Sequence, residues 1–407
     1  MADTRELDLV LFGATGFTGR LTAEYLAGLP LTLRWGLAGR SREKLEAVRE
    51  SLAAISPAAV TLPIFVGDSL DPVAMAQIAR RTRVVCSTVG PYARWGGPLV
   101  AACVEAGTSY CDLTGETDWV RSMIDAHHTR AVETGARIVP SCGFDSIPSD
   151  LGVYMLGEHF RERGRRLAQA RLRVISIRGG ASGGTIASAL AVAERFKDPH
   201  VRRVLADPYA LNPDGERGGP DQNDRLQPRR DSATGHWLAP FIMAAANTRV
   251  VRRSNALLGF PWTRDFRYEE VTDTGPGPKG LAGALAISAG MVGFVAAIAV
   301  QPTRGLVTRL LPAPGQGPDK QTRESGRFRI AIDGTADDGS TGRVLVSADR
   351  DPGYGATAIM LGQSALCLAE DQLPERAGFL TPSTAMGTRL LTRLRAANVR
   401  FEAQAPN

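Results

Sequence analysis

The chain has 407 residues, of which 43% are hydrophobic and 22% charged, the composition of a globular protein with room for two domains. Its net charge of +6 comes without a long basic run or interleaved aromatic residues, which argues against nucleic-acid binding and favours an anionic cofactor or an acidic partner. The five cysteines lack metal-ligand spacing and the first residues lack a secretion signal, so we expect buried free thiols, no metal site and a cytoplasmic location.

The first predicted element is an apolar strand at 8–12 that leads directly into three glycines and a helical pattern. We expect Gly13 to allow a sharp turn, Gly16 to let the backbone approach phosphates, and Gly19 to let the helix pack on the strand. The helix N-terminus would offer unpaired N–H groups to the anion. Because the spacing is GxxGxxG rather than GxGxxG, a glycine-rich turn of any α/β sheet is the alternative. The predicted diphosphate-binding residues are Gly13, Thr15, Gly16, Phe17, Thr18 and Gly19.

The second predicted strand, 31–38, ends at a basic segment rather than at an acidic residue. A domain that binds NAD carries an Asp or Glu here for the ribose 2′-hydroxyl. In this chain Arg40 and Ser41 follow the strand, and a guanidinium group can hold a 2′-phosphate through paired charge-assisted hydrogen bonds. The pattern therefore predicts NADP(H) rather than NAD(H), unless Arg40 and Arg42 only begin a solvated helix.

The third and fourth predicted strands add further candidate contacts with the cofactor. The third ends at 65–66, and Asp68 behind it would either accept a hydrogen bond from the adenine amino group or cap the helix that begins at Pro72. The fourth strand, 84–89, ends where the nicotinamide half of a dinucleotide would lie. Its candidate contact residues are Ser87, Thr88, Val89, Gly90, Pro91 and Tyr92.

Strands and helices alternate as far as residue 145, which indicates a Rossmann-type, doubly wound parallel sheet and hence an α/β fold class. The remaining strands of this part are predicted at 109–113 and 136–141, with helices at 41–55, 72–80, 97–106 and 118–134. Beyond residue 149 the alternation changes. There the pattern predicts helices at 150–162, 186–196, 357–369 and 385–397, a strand at 170–178, and a hairpin of 328–332 with 342–348.

Two later segments have an unusual composition. Residues 207–235 are rich in Pro, Gly, Asp and Arg and are predicted to form a long loop or a mobile flap. Residues 281–300 carry no charge and half of them are Ala or Gly, in a run of about twenty residues, which is long enough to cross a bilayer. A buried helix, a helix in contact with lipid and a membrane span are the alternatives. A span is disfavoured because it would separate residue 328 onward from the cofactor domain.

Several linked motifs resemble those of the saccharopine dehydrogenase-like oxidoreductases and, within these, the actinobacterial trans-acting enoyl reductases. They are GATGFTG at 13–19, AGRS at 38–41, TVGPY at 88–92, YCDLTGE at 110–116, GFDSIPSDLG at 143–152 and DPGYG at 351–355. The resemblance implies an NADPH-dependent reductase of an α,β-unsaturated acyl thioester, which in the mycobacterial branch acts on polyketide intermediates of lipid biosynthesis. The chain departs from the saccharopine dehydrogenases proper, which carry an acidic residue after the second strand.

The resemblance also implies an architecture and a set of partners. A Rossmann domain at 1–148 would be joined to a smaller α+β domain for substrate and dimerisation at 149–350, which includes the apolar segment 281–300. C-terminal helices at 351–407 would return to the first domain. The expected partner is an acyl thioester on an acyl carrier protein or polyketide synthase, together with formation of a homodimer. Peripheral lipid contact through 281–300 is the alternative that the composition of this segment leaves open.

Enoyl reduction needs a hydride at the β-carbon, a donor to the developing enolate oxygen and a proton at the α-carbon. Tyr92, beside the expected nicotinamide, is the first candidate for donor or enolate stabiliser. Asp145 and Ser146 lie at another strand end that faces the same crevice. A structural alternative is that Ser149 or Asp150 starts a helix while Asp145 only fixes the turn. The glycine-rich loop 179–185 would cover substrate or cofactor, or only join a strand to a helix.

Two other functions are consistent with the sequence. An imine or amino-acid dehydrogenase would use arginines to bind carboxylates, and Arg249, Arg252 and Arg253 could serve in that role. A cofactor-bound scaffold at a lipid surface would bind the nucleotide without turnover. Both alternatives share the predicted cofactor domain, so they differ from enoyl reduction only in the substrate and in whether a reaction follows cofactor binding.

Overall fold

A computed structural model of the chain describes residues 5–179, 183–299 and 317–404, and two seven-stranded sheets organise them. The strands of the first sheet are β1 Leu7–Phe12, β2 Trp35–Gly39, β3 Ile64–Val66, β4 Thr82–Ser87, β5 Ser109–Cys111, β6 Arg137–Val139 and β13 Gly378–Phe379. They are all parallel, in the order β13–β6–β5–β4–β1–β2–β3. The direction of winding reverses between β1 and β4, which is the switch point where such sheets bind dinucleotides.

Helices cover both faces of the first sheet because both faces of its central strand are apolar. In β1, Leu9 and Leu11 belong to the core on one side of the sheet, whereas Val10 and Phe12 belong to the core on the other side. The predicted doubly wound parallel sheet is therefore confirmed. The helices of this part are α1 Phe17–Ala27, α2 Arg42–Ala53, α3 Pro72–Arg81, α4 Tyr92–Trp95, α5 Gly97–Ala106 and α6 Thr117–Thr134, with a 3₁₀ turn at Pro57–Thr61.

The second sheet is mixed, and its strands are β7 Leu167–Arg178, β8 Arg229–Arg230, β9 His236–Pro240, β10 Arg267–Pro276, β11 Arg327–Ala336, β12 Thr341–Ala348 and β14 Arg400–Gln404. Their order is β14–β12–β11–β7–β10–β9–β8, with β7 and β10 parallel and the other pairs antiparallel. The predicted hairpin is confirmed as β11 and β12.

The remaining helices lie around the second sheet or return to the first. They are α7 Ile147–Arg161, α8 Gly183–Arg195, α9 Pro199–Ala206, α10 Ala244–Leu257, α11 Gly277–Ala299, α12 Lys320–Ser325, α13 Thr357–Glu370, α14 Pro382–Ala385 and α15 Gly387–Ala396, with a π turn at Pro352–Ala356. α7 packs on β7, β11 and β12, where its Leu156 and Phe160 share a core with Ile332 and Val346. One apolar core therefore runs from the first sheet into the second.

The C-terminal residues contact both sheets. α13 packs on α1, where Gln363 Nε2 donates to the Tyr25 hydroxyl at 2.5 Å and a Cβ on Gly362 would come within 2.8 Å of the Tyr25 ring. β13 then pairs with β6 at the edge of the first sheet, so the expected return to the first domain is confirmed. β14 was not predicted, and it pairs with β12 at the edge of the second sheet.

Helix α11 contains the uncharged segment as far as Ala299, and residue 300 lies outside the described residues. Gly280, Ala284 and Ser288 are buried, while Leu285 and Val292 on another side of the helix are exposed. The helix is therefore partly buried and partly open to solvent. Within the described ranges, no helix combines the length and the hydropathy needed to cross a membrane. All five cysteines are buried and free, as predicted.

Several element boundaries differ from the sequence-based expectation, among them the starts of β2 and α7. β2 begins at Trp35 rather than at residue 31, because the backbone N–H of Arg34 donates to the Asp8 carboxylate at 2.8 Å and leaves the strand pairing to later residues. α7 begins at Ile147, so the prediction that Ser149 or Asp150 starts this helix is wrong. Both residues are buried in its first turn instead.

Candidate functional site

The glycine loop after β1 is held against the end of β4. Gly13 has φ of +91°, where glycine is favoured, and a Cβ there would lie 2.7 Å from both Thr88 Oγ1 and Val89 Cγ2. A Cβ on Gly19 would lie 2.1 Å from the carbonyl oxygen of Gly13. Thr88 Oγ1 donates to that same oxygen at 3.1 Å. The sharp turn at Gly13 and the close packing at Gly19 are as predicted, and both lie at the switch point of the sheet.

The start of α1 has the properties of an anion site. Gly16 caps the helix without a side chain and is exposed, while Thr15, Phe17 and Thr18 are partly exposed beside it. The first turn contains no acidic residue, so nothing in it opposes the partial positive charge of the helix N-terminus. This cradle fits a diphosphate, because an exposed glycine and the positive end of the helix dipole meet there without an opposing charge.

The end of β2 carries an exposed guanidinium group where a 2′-phosphate would lie. Arg40 is exposed, and the described residues offer it no ion-pair partner. Ser41 caps α2 by accepting the Lys44 N–H at 3.3 Å, and Arg42 pairs with Glu46 at 3.8 Å. Arg40 therefore remains available to a ligand, whereas Ser41 and Arg42 make contacts with residues of α2.

Asp68, after β3, accepts the backbone N–H of Leu70 at 2.9 Å. The predicted alternative that Asp68 caps the helix at Pro72 is wrong, because Asp71 does so by accepting the N–H groups of Val73 and Ala74 at 2.9 and 3.3 Å. Asp68 is itself exposed, so the predicted contact with adenine stays open as a proposal.

Tyr92, at the nicotinamide end, is buried beneath the strand ends. Its hydroxyl donates to the carbonyl oxygen of Ser87 at 3.2 Å and accepts the Leu113 N–H at 3.4 Å. Burial, with Asp112 nearby, raises the pKa of the Tyr92 hydroxyl well above its ordinary value. These contacts support a structural role for the hydroxyl, because its proton is already donated within the protein.

Asp145 follows β6 at the same edge of the first sheet and is partly exposed. Burial raises the pKa of its carboxyl group to about 6. No hydrogen-bond donor faces this carboxyl among the residues that the structure describes. A carboxyl group with a pKa raised toward neutrality and no protein partner can exchange a proton with a ligand.

Ser146 belongs to a buried polar chain that sequence reasoning missed. Its hydroxyl donates to Asn247 Oδ1 at 3.1 Å, and Asn247 Nδ2 donates to Glu270 Oε2 at 2.9 Å. Tyr268 donates its hydroxyl to the other oxygen of Glu270 at 2.8 Å. Burial raises the pKa of Glu270 to about 7. These hydrogen bonds fix α10 and β10 against the start of α7. Because Ser146 already donates its proton to Asn247, its oxygen can only accept a further hydrogen bond.

Glu116 is a second functional candidate that sequence reasoning missed, although it ends the YCDLTGE motif. Its side chain is fully buried and accepts the backbone N–H groups of Tyr92 and Ala93 at 2.8 and 3.1 Å. It therefore holds the first turn of α4, next to the nicotinamide end of the crevice. As to metals, the described part of the chain contains no group of three or more His, Cys, Asp or Glu residues that could hold one.

The arginines considered for carboxylate recognition are occupied. Arg249 and Arg252 pair with Asp224 and Asp221 at 2.6 and 2.8 Å. Arg253 donates to the carbonyl oxygens of Leu211 and Phe379, and burial lowers its pKa to about 9. The proposed role of these arginines in gripping a carboxylate substrate is therefore wrong.

The same contacts hold the segment 207–235 in place. Arg252 Nη1 also donates to the Pro208 carbonyl oxygen at 3.1 Å, and Arg121 Nη1 donates to those of Ala210 and Asn212 at 3.3 and 3.2 Å. Because buried side chains satisfy its backbone, the first half of this segment fits the predicted long loop and not the alternative of a mobile flap.

Comparisons with known proteins agree with this geometry. Residues 9–139 match the saccharopine dehydrogenase NADP-binding domain. A Mycobacterium tuberculosis protein named provisionally as a trans-acting enoyl reductase is 46% identical, with 98% of each chain covered. The trans-acting enoyl reductase of Mycobacterium bovis is 43% identical, with 97% of each chain covered.

The solved structure of saccharopine dehydrogenase from Saccharomyces cerevisiae has a TM-score of 0.52 to this chain, with 13% identity and coverage of 98% of this chain and 99% of that one. This likeness concerns the fold alone. Since the mycobacterial relatives cover the whole length at more than 40% identity, the chain belongs to the trans-acting enoyl reductase family and is an NADP(H)-dependent oxidoreductase.

Proposed function

We propose that the protein reduces the carbon–carbon double bond of an α,β-unsaturated acyl thioester, borne on an acyl carrier protein or polyketide synthase in polyketide-derived lipid biosynthesis. The full-length relation to enzymes named for enoyl reduction carries the proposal. An alternative use of the same fold in amino-acid chemistry has lost its support, because the buried arginines of α10 are occupied.

The residues proposed to hold NADP(H) lie along the switch-point edge of the first sheet. The glycine loop with its exposed Gly16 would take the diphosphate, and Arg40 would take the 2′-phosphate. Asp68 and the end of β4 would border the adenine and the nicotinamide, respectively. The full proposed set is Gly13, Thr15, Gly16, Phe17, Thr18, Gly19, Arg40, Ser41, Asp68, Ser87, Thr88, Val89, Gly90, Pro91 and Tyr92.

The bound cofactor supplies a hydride to the β-carbon, and the protein supplies the proton that completes the reduction at the α-carbon. We assign that proton to Asp145, whose carboxyl group is desolvated and has no donor facing it in the described residues. Tyr92 and Ser146 were the other candidates. Each already donates its hydroxyl proton within the protein, which supports positioning roles for both.

A cluster of unpaired arginines supports a negatively charged carrier as the partner. Arg178 and Arg327 lie opposite each other on β7 and β11, Arg329 follows, and all three are exposed without an ion-pair partner among the described residues. The residues next to them, Gly179 and Gly326, fit closely against Asp351. Since the ring of Tyr354 in the same segment lies 4.7 Å from that of Phe17, the cluster stands close to the diphosphate loop.

The glycine-rich loop 179–185 was predicted to cover substrate or cofactor. Its residues 180–182 lie outside the described residues. For lipid contact, the support is the exposed apolar side of α11, with Leu285 and Val292. Homodimer formation remains an expectation from the resemblance.

The test is anaerobic oxidation of NADPH with a panel of substrates. It contains 2-enoyl thioesters of N-acetylcysteamine, the same enoyl groups on an acyl carrier domain, a saccharopine-type imine, and a reaction without substrate. The expected result is equal consumption of NADPH and formation of the saturated thioester, confirmed by mass spectrometry. Turnover of the imine alone would replace the proposal with amino-acid chemistry, and NADPH binding without any turnover would indicate a scaffold.

A further inference from the structure

Helix α8 is fastened to the cofactor domain through the same buried carboxylate that holds α4. Ser188 Oγ donates to Glu116 Oε1 at 3.0 Å, and Arg195 Nη2 donates to Glu116 Oε2 at 3.3 Å. Arg195 also binds both oxygens of Asp118, at 2.8 and 3.0 Å. One carboxylate therefore receives four donors, two from the nicotinamide end of the crevice and two from α8.

A second contact joins the same two elements at their outer side. Arg94, in α4, forms an ion pair with Glu194, in the last turn of α8. Both of these side chains are about half exposed, whereas the Glu116 side chain has no exposure and that of Arg195 has 25%. The exposed pair adds little, because solvent screens it. The buried group is the stronger link, since an uncompensated buried carboxylate would cost several kcal/mol.

The position of α8 gives this link its consequence. α8 follows β7 of the second sheet and contacts α11, so it belongs to the half of the molecule that would hold the acyl group. α4 follows the β4 end, where the nicotinamide would lie. Hydride transfer depends on the distance between these two partners, and a misplacement of about 1 Å can cost on the order of 100-fold in rate.

We propose that Glu116 is a positioning residue, which through Ser188 and Arg195 sets α8 and the acyl group against the nicotinamide. This inference rests on the proposed function for its kinetic consequences. Glu116 touches neither substrate nor cofactor in this role. It accepts the N–H groups that orient α4 and, with the same two oxygens, the donors that orient α8.

The experiment uses the full chain and the variants Glu116→Gln and Arg195→Gln, with Arg94→Gln as the matched control on the outer ion pair. NADPH affinity is measured by quenching of intrinsic fluorescence. Turnover is measured with the N-acetylcysteamine enoyl thioester and with NADPH deuterated at the transferred position. For Glu116→Gln and Arg195→Gln we expect kcat to fall at least tenfold, the deuterium isotope effect to rise and the NADPH Kd to change less than about threefold.

The two variants should not be additive, because either one breaks the same link, and the double variant should lose no more than the worse single variant. Arg94→Gln should retain at least half of wild-type kcat. If Glu116→Gln fails to fold, Arg195→Gln carries the test, because Arg195 is partly exposed and Glu116 keeps its backbone donors. Unchanged kcat and isotope effect in a folded variant would overturn the proposal.

Hydrogen–deuterium exchange separates this proposal from the proposed function. In NADPH-bound protein, the peptides that cover 183–195 and 92–96 should exchange at least threefold faster in both variants than in wild type. That result is independent of turnover, so it stands or fails even if the wild type reduces no enoyl thioester, the outcome that would remove the proposed function. Exchange equal to wild type in both peptides would show that Glu116 does not couple the two helices.

Discussion

Replacement of Asp145 by Asn is expected to make the protein more stable and less active. The carboxyl group has a pKa of about 6 in the folded protein against an ordinary value of 3.8, because burial penalises its charged form. A difference of this size corresponds to about 3 kcal/mol lost from the free energy of unfolding once the group is ionised. Since Asp145 is partly exposed, solvent reduces the penalty, and we expect Asp145→Asn to recover about 1–2 kcal/mol.

The dependence on pH follows from the raised pKa. In the range between the unfolded value near 4 and the folded value near 6, the folded state binds more protons, so wild-type stability falls as pH rises. Asn cannot ionise, so the stabilisation by Asp145→Asn should be absent below pH 4, grow between about pH 4 and 6, and stay constant above. Urea unfolding of both proteins at intervals across this range measures the difference directly.

Asp150→Asn is the matched control, because burial also raises the pKa of Asp150 to about 6. Asp150 differs in having donors: the Ser383 N–H at 2.7 Å, the Ser383 hydroxyl at 2.9 Å and the Ser254 hydroxyl. Asn in its place would leave buried donors unmatched, so this variant should be less stable by about 2–3 kcal/mol.

Activity completes the test of Asp145. Asp145→Asn should lower kcat at least 100-fold while the NADPH Kd stays within about threefold, because the lost group donates a proton but does not hold the cofactor. Lower stability of Asp145→Asn at pH 8, or the same gain at pH 4 and pH 8, would refute the reasoning from burial. Full activity would remove Asp145 as the proton donor.

Four further substitutions test other parts of the structure. Arg40→Asp should weaken NADPH binding roughly 100-fold and NADH binding less than about threefold by titration calorimetry, because attraction to the 2′-phosphate becomes repulsion; equal losses would contradict the assignment. Tyr92→Phe should destabilise the protein by about 1–2 kcal/mol and keep kcat within about threefold, and a 100-fold loss of kcat would restore Tyr92 as a catalytic residue. Arg252→Met should cost about 3–5 kcal/mol in thermal or urea unfolding and open 207–224 to limited proteolysis, since Asp221 and two carbonyl groups lose their donor; wild-type protection would show that the segment holds itself. Arg327→Glu should raise KM for a carrier-borne enoyl group at least tenfold while KM for the N-acetylcysteamine thioester stays constant, and an equal change for both substrates would exclude a carrier surface.

The features that the sequence predicted well are those that local geometry dictates. The turn at Gly13 and the close packing at Gly19 follow from spacing alone, because each requires the absence of a Cβ. The continuous apolar run of β1 is likewise typical of a sheet covered on both faces. Arg40 lies exposed after the second strand, as its position predicted, and its contact with a 2′-phosphate stays a prediction.

The features that the sequence did not predict depend on partners far away in the chain. The sequence around Glu116 does not reveal its contacts with Ser188 and Arg195, because these residues reach it only when α8 packs beside the first sheet. In the sequence Arg252 could not be distinguished from an unpaired arginine. In the structure its guanidinium group donates to the carbonyl oxygens of Pro208, in the segment 207–235, and of Tyr268, in β10. Asp68 and Asp71 are equally plausible helix caps in sequence, and the backbone path decided for Asp71.

The last strands impose an order on the biogenesis of this protein. Residues 378–379 complete the edge of the first sheet beside β6, and residues 400–404 complete the second sheet beside β12. Neither sheet can therefore pair its edge strand while residues 378–404 are still inside the ribosome. Until these residues emerge, β6 and β12 present unpaired backbone to neighbouring nascent chains, so a chaperone that shields those two edges would raise the yield of native protein.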